Sequence, residues 1–318
     1  PLMADYLTQN ALWWVEYLGL AGIRMDNWPY PDKDYMAEWT RRVMLEYPDL
    51  NIVGEEWSSD PQIVSYWQKG QTNLDGYVCD LPSLMDFPLQ EAVWLGLTTE
   101  DGEQQFDNSP GGLLRMYRKL SMDFLYPDPD NLVTFPDNHD MDRIFTQLNE
   151  DYDLWRMAMV YFATMRGIPQ YYYGTEILMD STEDHSHGYI RSDFPGGWAG
   201  DTKNAYTGEG LSERELEAQA YLRKLLNWRR DKAVIHGGET MHFVPVDATY
   251  TFFRYDDKDS VMVVFNKNEA AVSLELDRYR ERLDGYGSAT DVFSGETLEL
   301  GETLELPARS VRVLELAR

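Results

Sequence analysis

Apolar positions in the first 235 residues follow two spacings that take turns along the chain. Apolar side chains three and four positions apart predict helices at residues 4–18, 34–47, 61–67, 86–97, 110–123, 153–165 and 212–230. Short apolar runs predict five strands, at residues 21–26, 51–57 and 74–81 and within the segments "NLVTFPDNHD" and "IPQYYYGTE". Strands separated by helices imply parallel βα units, so this part of the chain is predicted to form a barrel or a doubly wound sheet.

The pattern changes at about residue 236. Short β-rich runs such as "YTFFRY", "SVMVVFN" and "SVRVLEL" then follow one another, separated by Asp, Gly, Asn and Pro. The only helical candidate among them is "LDRYRERL", residues 276–283. The sequence therefore predicts two domains, an α/β domain over residues 1–235 and a small antiparallel β domain over residues 236–318.

Composition narrows the function classes. A chain of 318 residues with a formal charge of −27 lacks the basic surface that phosphate binding needs, so nucleic acid is not an expected partner. No run approaches the length of an apolar membrane span, and we expect a soluble protein. The single cysteine, Cys79, excludes an internal disulfide framework. The start at "PLMADYL" has no signal-peptide features, and we expect it to lie inside a longer protein.

Acidic residues follow three of the predicted strands. Asp26 ends "GIRMD", Glu55 and Glu56 follow "NIVG", and Asp137 and Asp140 follow "LVTFP". Each acid taken singly is explained as a helix cap or a loop anchor. In parallel barrels, however, the C-terminal strand ends face one shared crater, so acids from three strands predict an active site.

The alternation of side chains along a strand predicts the side to which each of the neighbouring charged residues points. Arg24 and Asp26 are two residues apart and are predicted to point to the same side of their strand. Glu55 and Glu56 are adjacent, so only one of them is expected to point into the crater.

The motifs "GIRMD", "VGEEW" and "FPDNHD" resemble the second, third and fourth signature regions of the α-amylase family of glycoside hydrolases. The longer strings "DNWPYPDKDYMAEWTRRVM", "GYVCDLPSLMDFPL" and "RSDFPGGWAGD" resemble its cyclomaltodextrinase and neopullulanase branch. The resemblance extends from one end of the chain to the other. It implies an enzyme acting on cyclodextrins or maltooligosaccharides, with substrate as the expected ligand.

The resemblance also implies residue roles. Asp26 is the expected nucleophile, Glu55 the general acid/base in preference to Glu56, and Asp140 the acid that stabilises the transition state. Further substrate-site residues are Arg24, which would keep the nucleophile ionised, His139, which would hold sugar hydroxyls, and Trp28, Tyr30, Trp57 and Arg143. We expect no cofactor, and no metal either, because the pair His185 and His187 has no third convergent ligand.

The chain departs from the family pattern at its beginning. The strand "AGIRMD" matches the fourth barrel strand, so the expected fold is α/β, a partial TIM (β/α)8 barrel of about five βα units lacking the first three strands, followed by an antiparallel β-sandwich domain. The missing N-terminal half of the enzyme is the expected partner, and a homo-oligomer is possible on this sequence. Two alternatives stay open: a transglycosylase using the same residues, and a catalytically silent carbohydrate-binding or assembly module.

Overall fold

The computed structural model describes residues 2–102 and 111–318. The described residues form two compact units: unit 1 comprises the chain up to Glu91 with Lys119–Thr134, and unit 2 comprises Ala92–Arg118 with Phe135–Arg318. Among these residues no helix combines the length and the apolar character that crossing a membrane requires. The first residue of the predicted helix at 110–123 lies outside the described residues.

Seven of the described helices confirm the apolar spacing read from the sequence, whereas the short helices Ile144–Gln147, His187–Ile190 and Ala233–Gly237 have no counterpart among the predicted ones. Their bounds are α1 Leu2–Leu18, α2 Lys33–Glu46, α3 Pro61–Ser65, α4 Phe87–Thr98, α5 Leu113–Leu120, α6 Ile144–Gln147, α7 Tyr152–Thr164, α8 His187–Ile190, α9 Glu213–Arg230, α10 Ala233–Gly237 and α11 Arg280–Leu283. The strands are β1 Gly22–Met25, β2 Asn51–Gly54, β3 Ser83–Leu84, β4 Val133–Thr134, β5 Ile168–Pro169, β6 Glu239–His242, β7 Thr249–Tyr255, β8 Ser260–Asn266, β9 Val272–Glu275, β10 Ser288–Asp291, β11 Thr297–Glu299, β12 Thr303–Leu306 and β13 Ser310–Ala317.

Unit 1 contains a parallel sheet in the order β1, β2, β3. Arg24 pairs with Val53, and Met25 pairs with Gly54, so β1 and β2 end at the same level. Ile52 is fully buried in a core with Trp39 and other apolar side chains of α2. The parallel pairing confirms the βα reading of this region and brings the residues after β1 and β2 to one edge of the sheet.

The predicted strand at residues 74–81 is wrong, because the third strand is β3, two residues long and later in the chain. The segment before it is held in turns by its own polar side chains. Asn73 Nδ2 donates to the carbonyl oxygens of Tyr66 and Tyr77, at 2.9 and 3.1 Å. Asp75 accepts from the Tyr77 amide at 3.1 Å, and Gly76 has a positive φ of 77°. Local side-chain hydrogen bonds here replace a strand ladder.

Unit 2 is organised around α7, which is buried on nearly all sides. This helix packs against β13 and against α9, and the ring of its Tyr161 lies 5.8 Å from that of Phe252. The beginning of α9 is fixed by a capping box between Ser212 and Glu215. An all-round apolar helix requires a covering layer on each side, which the sheet and α9 supply.

The C-terminal strands form the antiparallel β region predicted from the sequence. A six-stranded sheet has the order β11, β10, β13, β8, β7, β6, and β12 pairs with β9 in a second sheet. Side chains from both sheets, including Phe253, Leu274 and Leu304, share one core. The segment "LDRYRERL" is helical as predicted, with a 3-10 turn at Leu276–Tyr279 leading into α11.

His242 in β6 gives unit 2 a predicted sensitivity to acid. Burial lowers the pKa of His242 to about 4, while its Nδ1 lies 3.1 Å from the Tyr250 hydroxyl. Between the unfolded pKa of about 6.5 and a pH near 4, the unfolded state therefore binds more protons than the folded state, and stability falls as the pH falls. We expect this group to contribute about 1 to 2 kcal/mol of the stability lost between pH 7 and 4.5, after allowance for its partial exposure.

Denaturant unfolding of the wild type and of His242→Gln at pH 7 and pH 4.5 measures this contribution. The loss of unfolding free energy between the two pH values should be smaller in the variant. Equal losses in the two proteins would show that His242 does not carry the effect.

Candidate active site

The residues that follow β1 and β2 are joined through backbone pairing that continues past the strands. The Glu55 amide donates to the Met25 carbonyl at 2.9 Å, and the Trp28 amide donates to the Glu55 carbonyl at 2.9 Å. Asn27, which precedes Trp28, has a positive φ of 48°, a conformation that asparagine tolerates better than most residues. This turn brings the side chains of Asp26 and Glu55 to the same edge of unit 1.

Arg24 contacts both of these acids with one guanidinium group. Its Nη1 forms an ion pair with Asp26 Oδ1, and its Nη2 donates to Glu55 Oε1 at 2.6 Å. The second oxygen of Glu55 accepts from the Asn27 amide at 2.9 Å, and Asn27 Nδ2 donates to Asp26 Oδ2 at 2.7 Å. The predicted arrangement of Arg24 and Asp26 on one side is thus confirmed, and Glu55 joins them.

The two carboxylates differ in exposure. The Asp26 side chain is 61% exposed, whereas that of Glu55 is 5% exposed. The hydrogen bond from Arg24 is the main cause that lowers the pKa of Asp26. An exposed carboxylate that stays ionised can act as a nucleophile or as an electrostatic stabiliser.

Glu56 points to a different partner. Its Oε2 accepts from Trp67 Nε1 at 2.7 Å, and burial raises its pKa. The expectation that the neighbours Glu55 and Glu56 face apart therefore holds in the structure. The raised pKa that a general acid needs is found at Glu56, while the shared arginine is found at Glu55, so the two criteria favour different residues.

The aromatic candidates of unit 1 differ in how deeply their side chains are buried. Trp57 is 52% exposed and stacks on Phe87 with ring centroids 4.7 Å apart, and Tyr30 is 81% exposed. Trp28 is only 1% exposed and lies in the core of unit 1, so the expectation that it faces substrate is corrected. Its ring packs over Gly54, where an added Cβ would lie 3.1 Å from Trp28 Cγ. Trp28 supports the end of β2, while Trp57 and Tyr30 present their rings to solvent.

Unit 2 holds the residues of the "FPDNHD" motif. Asp140 Oδ2 lies 3.0 Å from His139 Nε2, and its Oδ1 forms an ion pair with Arg191 Nη2. The Asp140 amide donates to Asn138 Oδ1 at 2.8 Å, which closes a local turn. His187 Nδ1 also lies 3.6 Å from Asp140 Oδ1, so Asp140 is held by neighbours in sequence and by two residues far along the chain.

Asp137 lies beneath this turn and is fully buried. Its carboxylate accepts from the Ile144 amide and from the Thr175 hydroxyl, both at 2.8 Å. Burial is the main cause that raises the pKa of Asp137 to about 6. Asp137 therefore anchors the beginning of α6 to the segment after β5 and presents no oxygen to solvent.

Arg143 is buried rather than placed at a surface. Its Nη1 donates to the Tyr173 carbonyl, and its guanidinium lies 4.1 Å from the centre of the Tyr172 ring. The expected direct contact with substrate is therefore corrected, because a fully buried side chain cannot reach a ligand. Arg143 instead supports the tyrosines next to His139, whose ring centroid is 6.4 Å from that of Tyr172.

Sequence reasoning missed Arg191, Asn27 and Thr175 as partners of the acids. Arg191 lies 51 residues after Asp140, in a loop whose histidines and resemblance to the family branch assigned it no role. Its presence in the quoted string "RSDFPGGWAGD" was a signal, but nothing local connects it to Asp140. Among the described residues, no three His, Cys, Asp or Glu side chains are grouped so as to hold a metal ion.

Comparison with known proteins identifies the class of protein that this fold and these motifs define. A model described as the alpha amylase catalytic domain matches residues 7–269, most of the chain, which therefore belongs to the α-amylase family. A second model, described as the cyclo-malto-dextrinase C-terminal domain, matches residues 240–315. These matches confirm the family resemblance, and together with solved structures they support the family's fold, a TIM barrel with a C-terminal β domain.

Individual relatives are more distant and longer. A maltogenic alpha-amylase of Bacillus acidopullulyticus is 24% identical over 99% of this chain and 48% of its own length. A cyclomaltodextrinase of a Bacillus species is 24% identical over 86% of this chain and 43% of its own. The crystal structure of an alpha-amylase from Geobacillus thermoleovorans, complexed with acarbose, matches with a TM-score of 0.78 at 22% identity, covering 100% of this chain and 64% of that one. The chain spans about half the length of the curated relatives it matches.

Proposed function

We propose that this chain carries the catalytic residues of a retaining glycosidase that hydrolyses α-1,4-glucosidic bonds of cyclodextrins or maltooligosaccharides. The observation that supports this best is the single guanidinium of Arg24 bound to both Asp26 and Glu55. A retaining enzyme needs a nucleophile and a proton donor about 5 to 5.5 Å apart, and one planar cation that binds two carboxylates keeps them near each other. The substrate class is supported by relatives that are named maltogenic alpha-amylase and cyclomaltodextrinase.

The proposed mechanism has two steps. The Asp26 carboxylate attacks the anomeric carbon while the Glu55 carboxyl gives its proton to the leaving glycosidic oxygen, which forms a covalent glycosyl-enzyme and breaks the bond between sugars. Glu55, now ionised, takes a proton from water, and the resulting hydroxide attacks the anomeric carbon and releases Asp26. Asp140 stabilises the oxocarbenium-like transition states, and the lowered pKa of Asp26 keeps the nucleophile ionised.

We propose further roles for the neighbouring residues according to how exposed their side chains are. Trp57 and Tyr30 offer exposed rings on which sugar rings can stack, and His139 offers a ring nitrogen beside Asp140 for sugar hydroxyls. Trp28 and Arg143 act from buried positions and hold the residues that touch substrate.

We also propose that the chain is the C-terminal portion of a longer enzyme. Its barrel would comprise about five βα units that begin at the fourth strand, with the division between catalytic and β domains at residues 235 and 236. The coverage of less than half of the first two relatives supports this, and the N-terminal half of the same enzyme is then the partner. A homo-oligomer remains a prediction.

This proposal predicts that residues 1–318, purified alone, hydrolyse maltooligosaccharides little or not at all, because much of a barrel wall would be absent. The natural polypeptide that contains this sequence, here called the parent polypeptide, should hydrolyse them with retention of the anomeric configuration. Chromatography of the products and NMR of the first-formed anomer measure both.

Three outcomes would change the proposal. Clear turnover by the 318-residue chain would contradict the fragment interpretation. New, longer oligosaccharides from the parent polypeptide would assign transglycosylation instead. Sugar binding by the parent polypeptide without any turnover would assign a silent binding module.

A further inference from the structure

Arg191 is a long-range partner of Asp140 within unit 2, and its Nη2 also lies 3.0 Å from Nδ1 of His187, the other such partner. Besides the ion pair between its Nη2 and Asp140 Oδ1, its Nε donates to the carbonyl oxygen of His139 at 2.9 Å. Two nitrogens of one planar group thus hold two consecutive residues of the motif. This forked arrangement fixes an orientation, which a single point charge would not do.

The carboxylate of Asp140 is held from both sides. Arg191 binds Oδ1, with His187 Nδ1 3.6 Å from the same oxygen, and His139 Nε2 lies 3.0 Å from Oδ2, so each oxygen has a close nitrogen partner. A carboxylate offers about four lone-pair sites, and these contacts use about two of them. The Asp140 side chain is 20% exposed, so part of it is open to a ligand. The unused lone pairs have a fixed direction only while both partners are in place.

Arg191 is itself anchored by structure on either side of it. It follows α8, whose first turn is capped by the Ser186 hydroxyl accepting from the Tyr189 amide at 3.3 Å. The next residue, Ser192, accepts through its carbonyl from the Tyr173 hydroxyl at 2.9 Å. These contacts hold the backbone of Arg191, while its side chain remains 44% exposed.

We propose that Arg191 is a positioning residue for the proposed reaction: it fixes the Asp140 carboxylate so that its free lone pairs meet the hydroxyl groups of the sugar being cleaved. This inference rests on the proposed function. Hydrogen bonds to those hydroxyls strengthen in the transition state of glycoside hydrolysis. A carboxylate free to rotate should therefore lower kcat more than it raises KM.

The test compares Arg191→Met and Arg191→Lys in the parent polypeptide, with a maltooligosaccharide as substrate. We expect Arg191→Met to lose about 10²-fold in kcat/KM, mostly in kcat, as for a small misplacement of a reacting group. Lysine should restore part of the loss, because it can reach only one of the two acceptors at a time. In Arg191→Ala, free guanidinium ion at millimolar concentration should restore part of kcat, since it can occupy the vacated position.

The matched control is Arg230→Met, because Arg230 is also an exposed arginine of unit 2 paired with an acid, Asp231. It should leave kcat and KM unchanged. The melting temperatures of all variants should stay within a few degrees of the wild type. A large fall in the melting temperature of Arg191→Met, together with no rescue of Arg191→Ala by guanidinium, would overturn the proposal in favour of a purely structural role.

A crystal structure of Arg191→Met separates this inference from the proposed function. The Asp140 carboxylate should be rotated or disordered there. An unchanged carboxylate, or full activity in Arg191→Met, would overturn the positioning role. A wild-type parent polypeptide without activity on any α-glucan would instead overturn the proposed function.

Discussion

Glu55→Gln in the parent polypeptide is expected to lose about 10³-fold in hydrolysis of maltooligosaccharides, the usual range for removal of a general acid/base. Glutamine keeps the size of the side chain and can still meet Arg24 through its amide oxygen, at the position where Glu55 Oε1 receives Nη2 at 2.6 Å. It cannot give a proton to the leaving oxygen or take one from water. The loss therefore isolates proton transfer from folding.

A substrate with a leaving group that needs no protonation sharpens this test. With α-maltosyl fluoride, Glu55→Gln should still form the glycosyl-enzyme at Asp26, and added azide should restore turnover because azide needs no general base to attack. The product should be α-maltosyl azide, with the configuration retained.

Glu56→Gln is the matched control, because Glu56 is the adjacent acid and is bonded to Trp67 rather than to Arg24. We expect its activity to stay within about tenfold of the wild type, since the amide can still accept from Trp67. Near-full hydrolysis by Glu55→Gln together with inactive Glu56→Gln would exchange the roles of the two residues. The raised pKa of Glu56 makes this comparison necessary.

Lys267→Met is expected to lower the free energy of unfolding by about 3 kcal/mol, the lower end of the range for removing one partner of a buried ion pair, since the Asp101 side chain is 18% exposed. Lys267 is 9% exposed and forms an ion pair with Asp101, and it donates to the carbonyl oxygens of Gly96 and Thr99 at 3.1 and 2.6 Å. These carbonyls lie at the end of α4, where a cation is favourable. Methionine keeps the aliphatic stem but leaves Asp101 and both carbonyls without this donor.

Denaturant or thermal unfolding of the 318-residue chain measures this effect. Lys203→Met is the control, since Lys203 pairs with Glu215 but is 47% exposed, and exposed pairs contribute 1 kcal/mol or less. A loss below about 1 kcal/mol in Lys267→Met would show that the ion pair does not hold α4 to the residue that follows β8.

Much of the candidate site could be predicted because its signals are local. Arg24 and Asp26 point to the same side of β1 because side chains alternate along a strand, and Glu55 follows β2, which pairs with β1 in parallel. The turn segment at residues 74–81 could not be predicted from apolar content, because Asn73 and Asp75 bond their own backbone there. Side-chain hydrogen bonds to the local backbone compete with strand pairing, and they leave no periodic pattern of apolar residues in the sequence.

The sequence by itself determined the family, the longer helices, the antiparallel C-terminal strands and the acids that follow the strands, since all of these depend on neighbours along the chain. Only the tertiary structure decided that Trp28 is buried while Trp57 is exposed, and that Arg143 is buried. It also decided that Arg191 reaches Asp140 across 51 residues. Burial and long-range ion pairs depend on which surfaces pack together. The spacing of residues within one segment does not predict this packing.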